Sequence, residues 1–171
     1  MSEVTLELVR PVSAPILRAV LGALCAVTLV VAFAGSGPQP HAAVVVVLAA
    51  LVVGTVLLPG LGLAALVALV AGTRLLVGDA PSLGVVMALV LLVHLTVWAG
   101  AVAARTSWRT RTELAVLLVG LRQLAVVQAG AQVLAVVAML LVGTAQGDLW
   151  RAVALVAAIV AAAVLLPRPS A

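Results

Sequence analysis

The chain has 171 residues, of which 66% are hydrophobic and 8% are charged. Soluble domains are about half apolar and a quarter charged, so this composition excludes a single soluble core. The formal charge of +4 comes from arginines scattered between apolar stretches without interleaved aromatic residues, which argues against nucleic-acid binding.

The N-terminal part predicts a short tail and a first membrane span. Residues 1–18 contain two acids, two arginines and two prolines, and the apolar stretch 19–35 follows. A secretory signal peptide is the alternative, because Ala32 and Ala34 form an A-x-A cleavage site. The acidic tail and the apolar stretches downstream favour an uncleaved helix. Cys25 is the single cysteine, so the chain has no intramolecular disulfide.

The next apolar stretch, 42–77, is too long for one crossing. As one helix it would measure about 54 Å, against a hydrocarbon core of roughly 30 Å. The sequence PGLG at 59–62 is a strong helix breaker. We therefore predict two spans, 42–58 and 62–77, joined by a tight turn, with a re-entrant pair as the alternative.

The second half of the chain predicts three further spans. Residues 83–104 form the clearest one, at about the 20 residues that a bilayer requires. We interpret 105–121 as a cytoplasmic segment that begins with a basic loop and continues as an interfacial helix. Residues 122–143 and 150–166 are the last two predicted spans, and 167–171 form a cytoplasmic tail.

The position of Arg122 depends on where the fifth span begins. A span that starts near Leu124 leaves Arg122 at the cytoplasmic interface. A span that starts at Leu114 buries this charge, which must then extend towards the interface or find a partner. We prefer the interfacial interpretation, because it avoids a buried charge.

These spans predict an all-α fold, a polytopic transmembrane helical bundle of about six short spans in one domain, 19–166. Arginines in short loops remain in the cytoplasm. The densest cluster is Arg105, Arg109 and Arg111, and six spans place this cluster and both termini on the same side. One long helix over 42–77 would separate the cluster from the N-terminus, so the charge pattern also favours the break.

The same composition indicates where the protein resides. The chain lacks lysine and is rich in Ala and Val, which is typical of GC-rich bacterial genomes. We therefore expect the bacterial plasma membrane, with both termini cytoplasmic. The three clustered arginines are candidates for contacts with anionic lipids.

Few polar residues lie within the predicted spans. His94 lies at the middle of its span, and an ionisable group there is a candidate for function because it is costly to keep in lipid. Gln128 and Gln132 lie one turn apart on the neighbouring predicted span, at a similar depth. Interhelical hydrogen bonding is the structural interpretation of all three. Lining a polar path for a small solute is the functional one.

Catalytic patterns are missing from the sequence. No predicted span contains a serine or a carboxylate, and the chain has no H-E-x-x-H, P-loop or G-x-G-x-x-G motif. We therefore expect a protein that is not an enzyme and binds no cofactor or metal. Our first hypothesis is an accessory or scaffold component of the cell envelope, with the lipid bilayer and other membrane subunits as partners. The alternative is a small transporter or channel subunit that uses His94, Gln128 and Gln132.

Overall fold

A computed structural model of the chain describes residues 11–34, 40–77 and 81–142. The predicted span 150–166 and the tail 167–171 lie outside the described residues. The described elements, in chain order, are β1 (Pro11–Ser13), α1 (Ala14–Ala34), α2 (Ala42–Leu57), a 3₁₀ turn (Pro59–Leu61), α3 (Leu63–Val77), α4 (Leu83–Ala104), β2 (Arg111–Glu113) and α5 (Leu114–Val142).

Apart from one short β-ribbon, the regular structure of the described residues is helical, as the composition predicts. Three helices are long and apolar enough to cross a membrane: α1 with 21 residues, α4 with 22 and α5 with 29. Helices α2 and α3 have 16 and 15 residues. At 1.5 Å per residue they measure about 24 and 22 Å, less than the roughly 30 Å of the hydrocarbon core. The six-span arrangement stays a prediction.

The helix break expected at 59–62 is present. Helix α2 ends at Leu57, and Pro59 begins a 3₁₀ turn because it has no backbone N–H to continue an α-helix. The turn closes at Gly62, whose φ of +69° is in the left-handed region that favours glycine. Helices α2 and α3 are therefore separate elements with opposite directions.

The helices pack around α1, which contacts α2, α3 and α4. Helix α4 runs antiparallel to α1: Arg18 near the start of α1 reaches Thr106 just beyond the end of α4, and Thr28 meets Thr96 further along. One set of buried residues joins these helices around Leu21, Cys25, Leu29, Val67, Ala99 and Ala103. A second set, further from Arg18, comprises Ala32, Ala71 and Leu89.

Small residues let these helices approach closely. A Cβ on Gly100 would lie 2.8 Å from the Cβ of Ala64, and a Cβ on Gly22 would lie 2.8 Å from Val56. Interfaces inside membranes are commonly built this way, since dispersion contacts replace the missing hydrophobic driving force. The glycine at Gly100 is thus what allows α3 to pack on α4.

A two-stranded ribbon ties the N-terminal segment to the loop before α5. Strand β1 pairs antiparallel with β2, with Pro11 opposite Glu113 and Ser13 opposite Arg111. The same end of the molecule holds the 3₁₀ turn, because Arg18 reaches the last carbonyl groups of α2. We call this the basic end: β1, the 3₁₀ turn, Arg18, and the loop 105–113. Strand β1 and the arginine cluster therefore lie at the same end of the described structure, and the orientation in the membrane stays a prediction.

Helix α5 differs from the expectation of an interfacial segment followed by a separate span. It is a single helix from Leu114 to Val142. The reason is local: no proline interrupts it, and the single glycines at Gly120 and Gly130 are tolerated inside a helix rich in Leu and Ala. Its length of about 44 Å exceeds the hydrocarbon core by more than 10 Å. Arg122 is exposed eight residues, about 12 Å, from the start of this unbroken helix.

Candidate functional site

Gln132 joins α5 to α4, and helical spacing puts Gln128 on the face of Gln132 and His94 on the face of Trp98, which also contacts α5. The amide Nε2 of Gln132 donates a hydrogen bond to the carbonyl oxygen of Met87 at 3.0 Å. Nearer the basic end, the indole of Trp98 lies over Gly120, where a Cβ would be 3.1 Å from its Nε1. These two contacts set an antiparallel register in which His94 is level with the turn of α5 that precedes Gln128.

Gln128 is the most unusual of the three. Its side chain is 9% exposed, and neither its Nε2 nor its Oε1 has a hydrogen-bond partner in the described part of the chain. The Oε1 of Gln132, one turn away on the same face, is also buried without a partner. A buried amide left without partners costs about 1 to 3 kcal/mol. The Oε1 atoms of both glutamines and the Nε2 of Gln128 are therefore free to bond a further group, because no described residue bonds them.

His94 is half-buried, and its hydrogen bond stays within its own helix. Its Nδ1 lies 2.8 Å from the carbonyl oxygen of Val90. A carbonyl only accepts, so Nδ1 carries the hydrogen and Nε2 presents a lone pair when the ring is neutral. The structure brings His94 to the same interface as Gln128 and Gln132 but joins it to neither, so the expected bond between helices is replaced by one within α4.

Arg18 is the residue that sequence reasoning missed. It lies in the second turn of α1, and its side chain is 5% exposed. Its Nη1 donates to the carbonyl oxygens of Val56 at 3.0 Å and Leu57 at 3.3 Å, and its Nη2 donates to that of Thr106 at 3.3 Å. Its guanidinium lies 3.8 Å from the ring centre of Trp108. One side chain thus connects α1, the end of α2 and the loop after α4.

The contacts of Arg18 follow from the chemistry of helix ends. The last four carbonyl groups of a helix have no partner within it, and Val56 and Leu57 lie in the last turn of α2. A guanidinium has donors in a planar fork and a flat face, so it can serve two carbonyl groups and stack on an indole at once. Arg18 therefore caps α2 and holds Trp108 with a single planar group.

A sequence signal for this arrangement existed in α1. The buried positions of that helix recur at helical spacing and include two polar residues: Arg18, Leu21, Cys25, Thr28 and Ala32. The prolines at 11 and 15 predicted a tail, but proline is tolerated in the first turn of a helix, and α1 begins at Ala14. Extending the apolar periodicity back past Pro15 places Arg18 on the buried face.

A second polar contact joins α1 to α4 near the middle of both helices. The hydroxyl of Thr28 donates to the carbonyl oxygen of Leu24 at 2.7 Å, so its oxygen is left to accept. The hydroxyl of Thr96 lies 3.1 Å away and supplies that hydrogen. Both side chains are fully buried. This bond between helices is structural and uses polar residues that the sequence reading passed over.

The arginine cluster lies on an ordered loop. Arg105, Arg109 and Arg111 are exposed, whereas Thr106 between them is buried and its hydroxyl donates to the carbonyl oxygen of Ala103 at 3.0 Å. Within the described ranges, no hydrogen bond, ion pair or ring contact engages the three guanidinium groups. The loop therefore presents free positive charge from a fixed backbone.

Within the described residues, no group of three or more His, Cys, Asp or Glu side chains lies close enough to hold a metal ion. The site is thus a row of amide and imidazole groups at one helix interface and a cationic loop at one end. A search of protein-family models, curated proteins and solved structures finds no match to this chain.

Proposed function

We propose that this protein is a non-catalytic, multi-pass integral membrane protein of the bacterial plasma membrane, with both termini in the cytoplasm, that serves as an accessory or scaffold component of the cell envelope. The polar contacts of Arg18, Thr28 and Gln132 support this role, because they join different helices or segments of the chain. Clustering of β1 with the arginine loop at the basic end supports the orientation.

The surface of α5 is the observation that carries the scaffold role. Between residues 114 and 140 of this long helix, only Leu117 and Gln128 are buried among the described residues. Arg122 and Gln123 lie exposed on the same helix. Polar side chains that point outward from a membrane helix are costly to expose to lipid, and they commonly mark contact with another protein. The occupant that we propose for this surface is a helix of a partner membrane subunit.

Photo-crosslinking from the surface of α5 tests the scaffold role. A photoreactive residue is placed at Leu134, which is 65% exposed, and as a matched control at Val46 of α2, which is 67% exposed. We expect a covalent adduct with a second polypeptide from position 134 and none from position 46. Adducts to lipid alone, or to residues 150–166 of the same chain, would remove the basis for a partner subunit.

A small transporter or channel subunit is the second candidate, and the unpartnered amides of Gln128 and Gln132 favour it. Water or a small solute that both donates and accepts hydrogen bonds would satisfy these groups. Gln128→Cys, in a background with Cys25→Ser, should then react with a membrane-impermeant thiol reagent. Thr96→Cys is the control, since that position is fully buried between α1 and α4. Equal protection of both cysteines would show a dry interface and exclude the path.

A further inference from the structure

The loop 105–113 combines free positive charge with an unusually constrained backbone. Its three exposed arginines share the loop with Glu113, which is half-buried in β2 and is the single acidic residue in the described part of the chain. The loop connects the end of α4 at Ala104 to the start of α5 at Leu114. Since α4 and α5 fit membrane spans, the loop lies where the hydrocarbon core meets the polar headgroups.

The β-ribbon, two contacts of Arg18 and one hydrogen bond within the loop hold this loop in place. The ribbon with β1 fixes its last residues, and Arg18 bonds the carbonyl oxygen of Thr106. The same guanidinium stacks on Trp108, and the hydroxyls of Ser107 and Thr110 lie 2.6 Å apart. A basic loop with this many ties presents its arginines from a nearly fixed backbone. Binding an anion then requires the ordering of side chains but little ordering of the main chain.

An apolar surface lies beside the loop. Leu57, Leu58 and Leu61, around the turn that joins α2 to α3, are 53%, 55% and 68% exposed. Arg18 links the two features directly, because its Nη1 bonds the carbonyl oxygen of Leu57 and its Nη2 bonds that of Thr106. We call these three leucines the apolar tip. The backbone of the arginine loop and the backbone at the start of the apolar tip therefore meet at one guanidinium group.

We propose that the arginine loop and the apolar tip form a preorganised site for an anionic phospholipid. Guanidinium groups bind phosphate oxygens through paired hydrogen bonds, so Arg105, Arg109 and Arg111 bind the headgroup. The leucines of the tip lie along the first part of the acyl chains. Arg18 does not touch the lipid; it is a positioning residue that holds the loop against the tip. This site stands independently of the scaffold role.

The apolar tip is what identifies a lipid over a soluble anion. A free phosphate or a nucleic-acid backbone offers charge to the arginines but nothing to three exposed leucines. A phospholipid offers both from one molecule, at the depth where the loop lies. Sequence alone supported only a general attraction of arginines to anionic lipid; the structure adds the fixed loop, its anchor and its apolar neighbour.

Native mass spectrometry of the detergent-solubilised full chain tests the site. Phosphatidylglycerol and phosphatidylcholine with identical acyl chains are titrated, and the apparent Kd of the first lipid adduct is compared. Each basic residue near an anionic lipid contributes roughly a fivefold preference, so the wild-type chain should prefer phosphatidylglycerol by up to about a hundredfold. The triple variant Arg105→Gln, Arg109→Gln, Arg111→Gln should lose this preference. Arg122→Gln, which removes one exposed arginine of α5, should keep it.

The positioning role of Arg18 separates a built site from diffuse attraction. Arg18→Gln leaves the three binding arginines intact and should lower the preference roughly tenfold, because the loop must then be ordered on binding. If that variant does not fold, Trp108→Leu removes only the stacking contact and should lower the preference in the same direction. Unchanged preference in a folded Arg18 or Trp108 variant would refute the preorganised site.

Two further outcomes decide the identity of the ligand. Millimolar inorganic phosphate should fail to displace phosphatidylglycerol, because it cannot contact the apolar tip. Full displacement would overturn the lipid assignment in favour of a soluble anion. Replacement of Leu58 and Leu61 by Ser should weaken both lipids while leaving their ratio unchanged; no weakening would remove the tip from the site.

Discussion

Replacing Arg18 is the sharpest test of how this fold is held together. The buried guanidinium donates three hydrogen bonds to carbonyl groups of two other segments and stacks on Trp108. Arg18→Leu keeps an apolar side chain but is too short to reach these groups, and it leaves the carbonyl oxygens of Val56, Leu57 and Thr106 without this donor. The change therefore removes both a connection between helices and the packing of the guanidinium on Trp108.

The expected loss of folding free energy is the difference between the contacts that Arg18 makes and the cost of burying its charge. Hydrogen bonds to a charged donor contribute about 1.5 to 3 kcal/mol each, and the stacking contact about 1 kcal/mol. Against these stands the cost of keeping a guanidinium away from water, several kcal/mol, which the leucine variant avoids. We expect a net loss of about 2 to 3 kcal/mol, mostly from carbonyl groups left unpaired.

Arg18→Lys distinguishes geometry from charge. A lysine retains the positive charge but lacks the planar fork and face, so it cannot serve α2, Thr106 and Trp108 together. We expect it to lose at least half as much stability as Arg18→Leu. Arg122→Leu, at an exposed position, is the matched control and should change the free energy of unfolding by less than about 0.5 kcal/mol.

Unfolding in mixed micelles of dodecyl maltoside and sodium dodecyl sulfate, followed by circular dichroism, measures these differences. The order of stability should be wild type and Arg122→Leu, then Arg18→Lys, then Arg18→Leu. If Arg18→Lys is as stable as wild type, charge alone suffices and the role given to the planar group is wrong. If Arg18→Leu is also as stable, the three carbonyl contacts contribute nothing.

Three further substitutions test other parts of the structure. Gly100→Ala places a Cβ 2.8 Å from that of Ala64 and should cost about 1 to 3 kcal/mol in the same unfolding assay. Gly72→Ala, where no atom lies within 4 Å, is the control and should be neutral or slightly stabilising; equal effects of the two changes would refute close packing between α3 and α4. Gln128→Leu removes two buried groups without partners and should leave stability unchanged or raised, whereas a loss above about 1 kcal/mol would show that water or a solute bonds the amide. Thr110→Cys, in a cysteine-free background, should be labelled by an impermeant thiol reagent only in broken cells, and labelling in intact cells would place the arginine loop outside.

The membrane character and the helix break were readable from the sequence, because both depend on local properties. Apolar stretches of sufficient length predict spans whatever their neighbours are, and α1, α4 and α5 satisfy that criterion. The break at Pro59 follows from a missing N–H and a glycine that adopts positive φ, which are properties of the residues themselves.

The partners of the polar residues were decided only by tertiary structure. The sequence placed Arg18 in the N-terminal tail, because nothing in the sequence marks its hydrogen-bond acceptors. These acceptors are the backbone carbonyl oxygens of residues 56, 57 and 106, and every residue has such a group. Gln132 bonds the main chain of Met87 for the same reason, while Gln128 beside it bonds nothing in the described residues. Amphipathic periodicity shows which face a residue occupies. The register and rotation between two helices decide which backbone group that residue contacts. Register and rotation depend in turn on close contacts, such as Gly100 on Ala64, that exist only after the helices have packed.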